Sequence, residues 1–439
     1  MPKPPPNPSL TETPGHRSHQ RIAEVTITPV AFRDLPLLNT VGLHEPYAIR
    51  AIVEVRTGEG LTGLGETYAD TAHLARLRRA ADEITGTGVW DLNELALRVR
   101  TSLAGDTGTG GHGMAGMVTN SSTADAVLSP FEVACLDIQG QATGLPVSAL
   151  LGGAVRDRVD YSAYLFYKWA AHPEQEPDAW GAALDPDGIV AQARRMIDAY
   201  GFSAIKLKGG VFPPEEEIEA IRALRRAFPG HPLRIDPNGA WTVETSIRVG
   251  QELDGVLEYL EDPTAGVAGM AEVARKVPMP LATNMCVVGF ADLEPAVKQN
   301  AVGVVLSDHH FWGGLTRSRL LAGICETFGL GMSMHSNSHL GISLAAMTHL
   351  AASSPSLSYA CDTHWPWKDP GEDVIADGAL TFSEGALAVP AGPGLGVTLD
   401  RDKLARLHEQ YLRCGLRDRD DTGYMKRIDP SYELKQPRW

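Results

Sequence analysis

Alternating apolar and polar positions begin at Ile22, where Ile22, Glu24, Val25, Ile27 and Val30 predict a first β-strand. A second runs from Ile49 to Val55 and turns through Thr57-Gly58-Glu59-Gly60 into a third that reaches Glu66, a hairpin whose glycines free the turn backbone. Helical spacing over 71–85, 90–103 and 131–143 follows the strands, which predicts an α+β lobe at 21–150. The proline-rich arm at 1–20 lacks the apolar residues to order itself. A glycine-rich run over 105–116 contains Gly111-His112-Gly113-Met114-Ala115-Gly116, a formal GxGxxG match. No apolar strand precedes it and no acidic residue follows in a βαβ unit, so it reads as a mobile loop that closes over substrate.

From 151 to 391 the period alternates between short apolar runs and helical stretches. The runs end near Tyr164, Lys208, Asp236, Glu261, Asn284, Asp308, His335 and Asp362, the count expected of a parallel β/α barrel. The helix after Lys208 is the clearest. Pro213-Pro214 and Glu215-Glu216-Glu217 suit its N-terminus, Ile218, Ile221, Leu224 and Phe228 form its apolar stripe, and Pro229-Gly230 stops it. The segment 392–439 is polar and is expected to return to the first lobe.

Composition narrows the function classes. The 439 residues are 43% hydrophobic, enough for a large α/β core with a satellite domain. A formal charge of −15 disfavours nucleic acid and anionic membranes as partners. Five scattered cysteines without CxxC spacing predict reduced thiols, and with no apolar leader or spanning segment a cytoplasmic enzyme is expected.

The strand ends carry the candidate chemistry. In a β/α barrel they converge on one mouth, and Asp236, Glu261 and Asn284 at successive ends offer two carboxylates and an amide, donors that suit Mg²⁺ better than zinc. Capping of neighbouring loops would explain any one of them; three in succession favour a metal cradle. Lys206 and Lys208, two apart on a strand, both point into the mouth. A neighbouring cation favours the neutral amine that a base requires. A surface lysine pair and Schiff-base chemistry at Lys208 are the alternatives, and the second gives the metal cradle no role. His335 ends the seventh run and Asp308 the sixth, so the carboxylate can fix the imidazole tautomer. His335 and His339 have the spacing of a zinc helix, but the glutamate of HExxH is absent. His309, His310, His349 and Cys361 are read as packing or rim residues.

Lys206-Leu207-Lys208-Gly209-Gly210, Asp236-Pro237-Asn238-Gly239-Ala240-Trp241, Glu261-Asp262-Pro263, Ala282-Thr283-Asn284-Met285, Asp308 with Phe311-Trp312, His335-Ser336-Asn337-Ser338-His339 and Asp362-Thr363-His364-Trp365 together resemble the glucarate dehydratase group of the enolase superfamily. The resemblance spans nearly the whole chain after the first twenty residues. It implies an α+β capping domain on a modified TIM barrel, (β/α)7β, and Mg²⁺-dependent dehydration of an acid sugar, a hexarate dianion, to a 4-deoxy-5-keto product. Lys208 and His335 would be bases on opposite faces of the substrate carbon, with Asp308 orienting His335 and Lys206 tuning Lys208. Substrate contacts would come from His44, Tyr164, Asn238, Ser336, Asn337, His364 and Arg419, the last supplying positive charge. A homo-oligomer is expected. One departure stands out: the segment Thr264-Ala265-Gly266-Val267-Ala268-Gly269 is shorter than in well-known glucarate dehydratases and lacks their additional acidic residue, which leaves Glu261, or Asp262 if it turns inward, as the third metal ligand.

Overall fold

The computed structural model describes residues 20–108 and 120–439, so the glycine-rich run over 111–116 and all but the last residue of the 1–20 arm lie outside the described residues. Strands β1 (Ile22–Arg33), β2 (Tyr47–Thr57) and β3 (Thr62–Tyr68) form an antiparallel sheet in the order β1-β2-β3. The third packs on α3 (Asn120–Thr143), which follows α1 (Thr71–Ile84) and α2 (Leu92–Ser102). The expectation that α3 starts at Phe131 is corrected: it starts at Asn120 and passes through Pro130. Burial of this helix against the sheet outweighs the one backbone bond that proline cannot donate.

Gly63 and Gly65 explain how closely α3 approaches β3. A Cβ at Gly65 would lie 2.1 Å from the carbonyl oxygen of Pro130, and one at Gly63 2.0 Å from that of Ala134. Gly65→Ala is therefore expected to destabilise the fold by about 1–3 kcal/mol through overpacking, read from denaturant unfolding. An unchanged unfolding midpoint would show that the helix is free to move away.

The larger unit is a seven-stranded parallel sheet whose strands neighbour one another in chain order. They are β4 (Ser162–Phe166), β5 (Ala204–Lys208), β6 (Leu233–Asp236), β7 (Leu257–Glu261), β8 (Leu281–Thr283), β9 (Val304–Ser307) and β10 (Gly331–Met334). The eighth strand, expected near Asp362, is only a bridging segment. The amide of Ser162 bonds the carbonyl of Cys361 at 2.9 Å, and the amide of Asp362 bonds that of Met334 at 2.9 Å, joining the two edges of the sheet. Tyr164 lies inside β4 rather than at its end, opposite Lys206 in the register.

Helices cover the outside of this sheet. Pro186–Tyr200 is capped by the Asp185 side chain on the amide of Gly188 and ended by Gly201 at φ +75°, the left-handed conformation glycine tolerates. Pro214–Ala227 buries Ile218, Ile221 and Leu224, the stripe predicted from sequence. Glu217, read there as a helix-start acid, instead turns inward and accepts the amides of Gly210, Val211 and Phe212, which closes the loop after Lys208. Burial pushes its carboxyl up to about 7.

The last part of the chain touches both units. The Gln410 amide donates to the Ala31 carbonyl in the antiparallel sheet, whereas Arg438 and Trp439 donate backbone amides to Ala240, beside Asp236 and Asn238. Among the described residues, no helix is long and apolar enough to cross a membrane.

Candidate active site

The mouth of the parallel sheet concentrates ionisable groups that few folds would bury without cause. Lys206 and Lys208 alternate with the core residues Ile205 and Leu207 on β5, so both ammonium groups point inward, 4.6 and 5.9 Å from the centre of the Tyr164 ring. The Lys206 ammonium lies 2.7 Å from both Glu261 and Asp362 and 3.8 Å from Asp236. Burial alone would lower its pKa, but Asp362 and Glu261 outweigh it and hold Lys206 firmly protonated. The Lys208 ammonium donates to Asp236 at 2.7 Å. The paired lysines are thus buried at the mouth, and a surface lysine pair does not describe them.

Asp262 turns away from this group. At φ +33° it directs its carboxylate to the Thr283 hydroxyl at 2.5 Å and the Asn284 backbone amide at 2.8 Å. It acts as a bracket for the loop that carries Asn284. Glu261 differs: its Oε2 lies close to Lys206 yet accepts no well-directed hydrogen bond, and the Asn284 side-chain oxygen accepts none either. Asn238 presents a third such oxygen, while its backbone amide bonds Asp236 at 3.0 Å.

Charge in this cluster is unbalanced. Three buried carboxylates, Asp236, Glu261 and Asp362, surround the two ammonium groups, with Asp262 bracketing the loop beside them. Burial, with Asp236 and Asp362 close by, pushes Glu261 well above the carboxylate range despite Lys206. Burial and Asp236 push Asp262 up to about 7. Unpaired buried oxygens beside surplus carboxylate are the donor set a hard divalent cation satisfies, so Asp236, Glu261 and Asn284 fit Mg²⁺.

At the end of β10 the mouth also holds His335, whose Nδ1 is 3.0 Å from Asp308 Oδ2. The other oxygen of Asp308 accepts the His310 backbone amide at 3.0 Å and pairs with His310 Nδ1 at 2.7 Å. Burial would raise the Asp308 pKa, but His310 and His335 hold it well below the usual range. The reading of His310 as a packing residue is therefore corrected: it shares the carboxylate of His335. The sequence offered a faint signal, in that Asp308 and His310 sit two apart at a strand end.

Around these bases the remaining candidates fall into two groups. Tyr164, Phe166 and His364 stack within 4.8–5.3 Å of one another, and Ser336 bonds His364 Nδ1 at 3.1 Å. The Asn337 amide donates to the Tyr68 hydroxyl at 3.2 Å. His44 lies beyond Phe166 with its Nδ1 3.1 Å from Asp34. Arg419 is half-buried in the same cluster, but its Nε and Nη2 both bond Asp421 at 2.9 Å and its Nη1 lies 3.8 Å from Asp34. Its positive charge is already matched within the protein.

Residues 188–403 match the family described as enolase C-terminal domain-like. A probable glucarate dehydratase of Streptomyces coelicolor is 56% identical over 95% of this chain and 99% of its own length. The chain belongs to the enolase superfamily. Its resemblance to the glucarate dehydratase group, and the capped barrel that resemblance implied, are therefore borne out. A Mycobacterium smegmatis enolase complexed with tartrate superposes on this enzyme with a TM-score of 0.93 at 67% identity, covering 97% of this chain and all of the other. A Gibberella zeae enolase complexed with magnesium, formate and sulfate superposes with a TM-score of 0.94 at 61% identity, over 96% of this chain and 98% of that one.

Proposed function

We propose that this enzyme is a Mg²⁺-dependent acid-sugar dehydratase acting on D-glucarate or its epimer L-idarate to give 5-dehydro-4-deoxy-D-glucarate. The observation that carries the reading is the pair of buried bases at the strand ends with separate carboxylate partners, Lys208 on Asp236 and His335 on Asp308. The probable glucarate dehydratase relative supports the substrate class, and tartrate, a hydroxy diacid, is a fragment-sized version of a hexarate.

The hydrogen on a carbon next to a carboxylate is a very weak acid, so its removal needs both a positioned base and stabilisation of the charge that develops. When bound by Asp236, Glu261 and Asn284, Mg²⁺ would supply that electrostatic stabilisation. Lys208 takes the proton from one face of the carbon and His335 from the other. The electron pair of the broken C–H bond moves toward the carboxylate, returns to form a C=C bond, and expels the neighbouring hydroxyl, which leaves as water once protonated. The resulting enol becomes the keto acid by taking a solvent proton. Lys206 keeps a fixed positive charge beside Lys208, and His364, Ser336, Asn337, Tyr164, Asn238 and His44 line the space where the substrate hydroxyls and far carboxylate would lie.

Substrate choice rests on the loop after Glu261. Only 262–265 separate Glu261 from the helix Gly266–Ala274, and the Arg419 fork is occupied. Mouth loops set which hydroxyls find partners, whereas a strand-end carboxylate is rigidly placed. The expected result is ordinary Mg²⁺ affinity with a substrate profile across glucarate, idarate, galactarate and shorter sugar acids that differs from that of longer-loop dehydratases. Normal metal binding with neither keto-acid formation nor α-proton exchange from any of them would move the assignment to another acid substrate or to a non-catalytic sugar-acid binding role.

A further inference from the structure

Asp308 connects His335 to a buried chain that begins in the other structural unit. Arg50 on β2 and Glu66 on β3 are both at most 2% exposed, and Arg50 Nε donates to Glu66 Oε1 at 3.0 Å. Glu66 also accepts the backbone amides of Leu340 and Ser343 at 2.8 Å, which fixes the antiparallel sheet against the helix Gly341–Ala352. Nη2 of Arg50 lies 2.8 Å from His310 Nε2 and donates to the Ser343 hydroxyl at 3.3 Å, and that hydroxyl is 2.9 Å from the same His310 nitrogen.

This contact settles a tautomer. A guanidinium only donates, so His310 Nε2 must accept and carries no proton. The ring proton then sits on Nδ1 and is donated to Asp308 Oδ1. With that oxygen held by two donors from residue 310, Oδ2 is left aimed at His335 Nδ1. His335 in turn donates from Nδ1 and keeps Nε2 as its basic atom.

Resting on the two-base reading above, we propose that Arg50 and His310 are positioning residues for the His335 half of the reaction: Arg50 fixes the His310 tautomer, His310 orients Asp308, and Asp308 sets the orientation of His335. The chain links the unit that bears Arg50 and Glu66 to a single base in the barrel mouth. Lys208, held by Asp236, stands outside it.

The test is α-proton exchange in D₂O, followed by NMR for each of the two epimers, with the Mg²⁺-loaded full-length enzyme. His335→Asn is the control and should silence exchange for one epimer while sparing the other. His310→Phe and Arg50→Met should slow exchange for that same epimer by about tenfold to a hundredfold, the usual cost of losing a partner that orients an imidazole. His310→Asn, which keeps an N–H where Nδ1 stood, should recover most of the loss. If His310→Phe slows both epimers equally, or neither, while the His335→Asn control behaves as stated, the positioning role is wrong. If the control itself shows no epimer preference, the two-base reading fails instead. Circular dichroism melts identify any variant that fails to fold, in which case His310→Asn against His310→Gln, which moves the N–H away from the Nδ1 position, decides the question.

Discussion

Lys208→Ala is expected to lower turnover of one epimer by about 10²–10⁴-fold, the contribution usual for a positioned base. The methyl that replaces it cannot take a proton, and the neighbouring Lys206 cannot substitute because Glu261 and Asp362 hold it charged. His335→Asn should show the mirror pattern, since it retains a donor to Asp308 but offers no basic nitrogen. Stereospecific exchange of the substrate α-proton measures both effects. Equal losses for both epimers in both variants would mean that the two groups act on the same face, which their separate partners, Asp236 and Asp308, argue against.

The second large effect concerns the metal. Chelation is expected to abolish turnover and Mg²⁺ to restore it, because Asp236, Glu261 and Asp362 already engage both lysines, which leaves neither free to offset the negative charge that develops on the substrate. A ligand that binds only the native state also raises stability, by about 2.7 kcal/mol at a hundred times its dissociation constant. Thermal unfolding with and without Mg²⁺ reads this independently of activity, and Asp236→Asn should reduce the shift. Full activity in the chelated enzyme, with borohydride trapping of a carbonyl substrate at Lys208, would favour Schiff-base chemistry instead.

Much of this site is legible from local pattern. Lys206 and Lys208 declare their shared face by their spacing, and Asp236, Glu261, Asp308 and His335 each stand at the end of a short apolar run that forms a strand. What the sequence could not convey is which buried partners compete for them. Arg50 and His310 are 260 residues apart, and Arg50 sits in a strand pattern where an arginine reads as an ordinary solvent-facing position. Asp262 offers the same lesson in reverse. It is adjacent to Glu261 and equally acidic, yet a positive backbone φ turns it to Thr283 and Asn284, a conformation that the preference of most residues disfavours. The short apolar run before Asp362 suggests an eighth strand, whereas the closure needs only a few bridging hydrogen bonds.

Incubation of the enzyme with Mg²⁺ and D-glucarate in D₂O, with the products followed by NMR and mass spectrometry, is the decisive measurement. The expected product is a 4-deoxy-5-keto diacid that carries one solvent-derived deuterium in its new methylene group, formed only with the metal present. Unchanged glucarate and idarate, with the α-proton intact at every metal concentration, would contradict it.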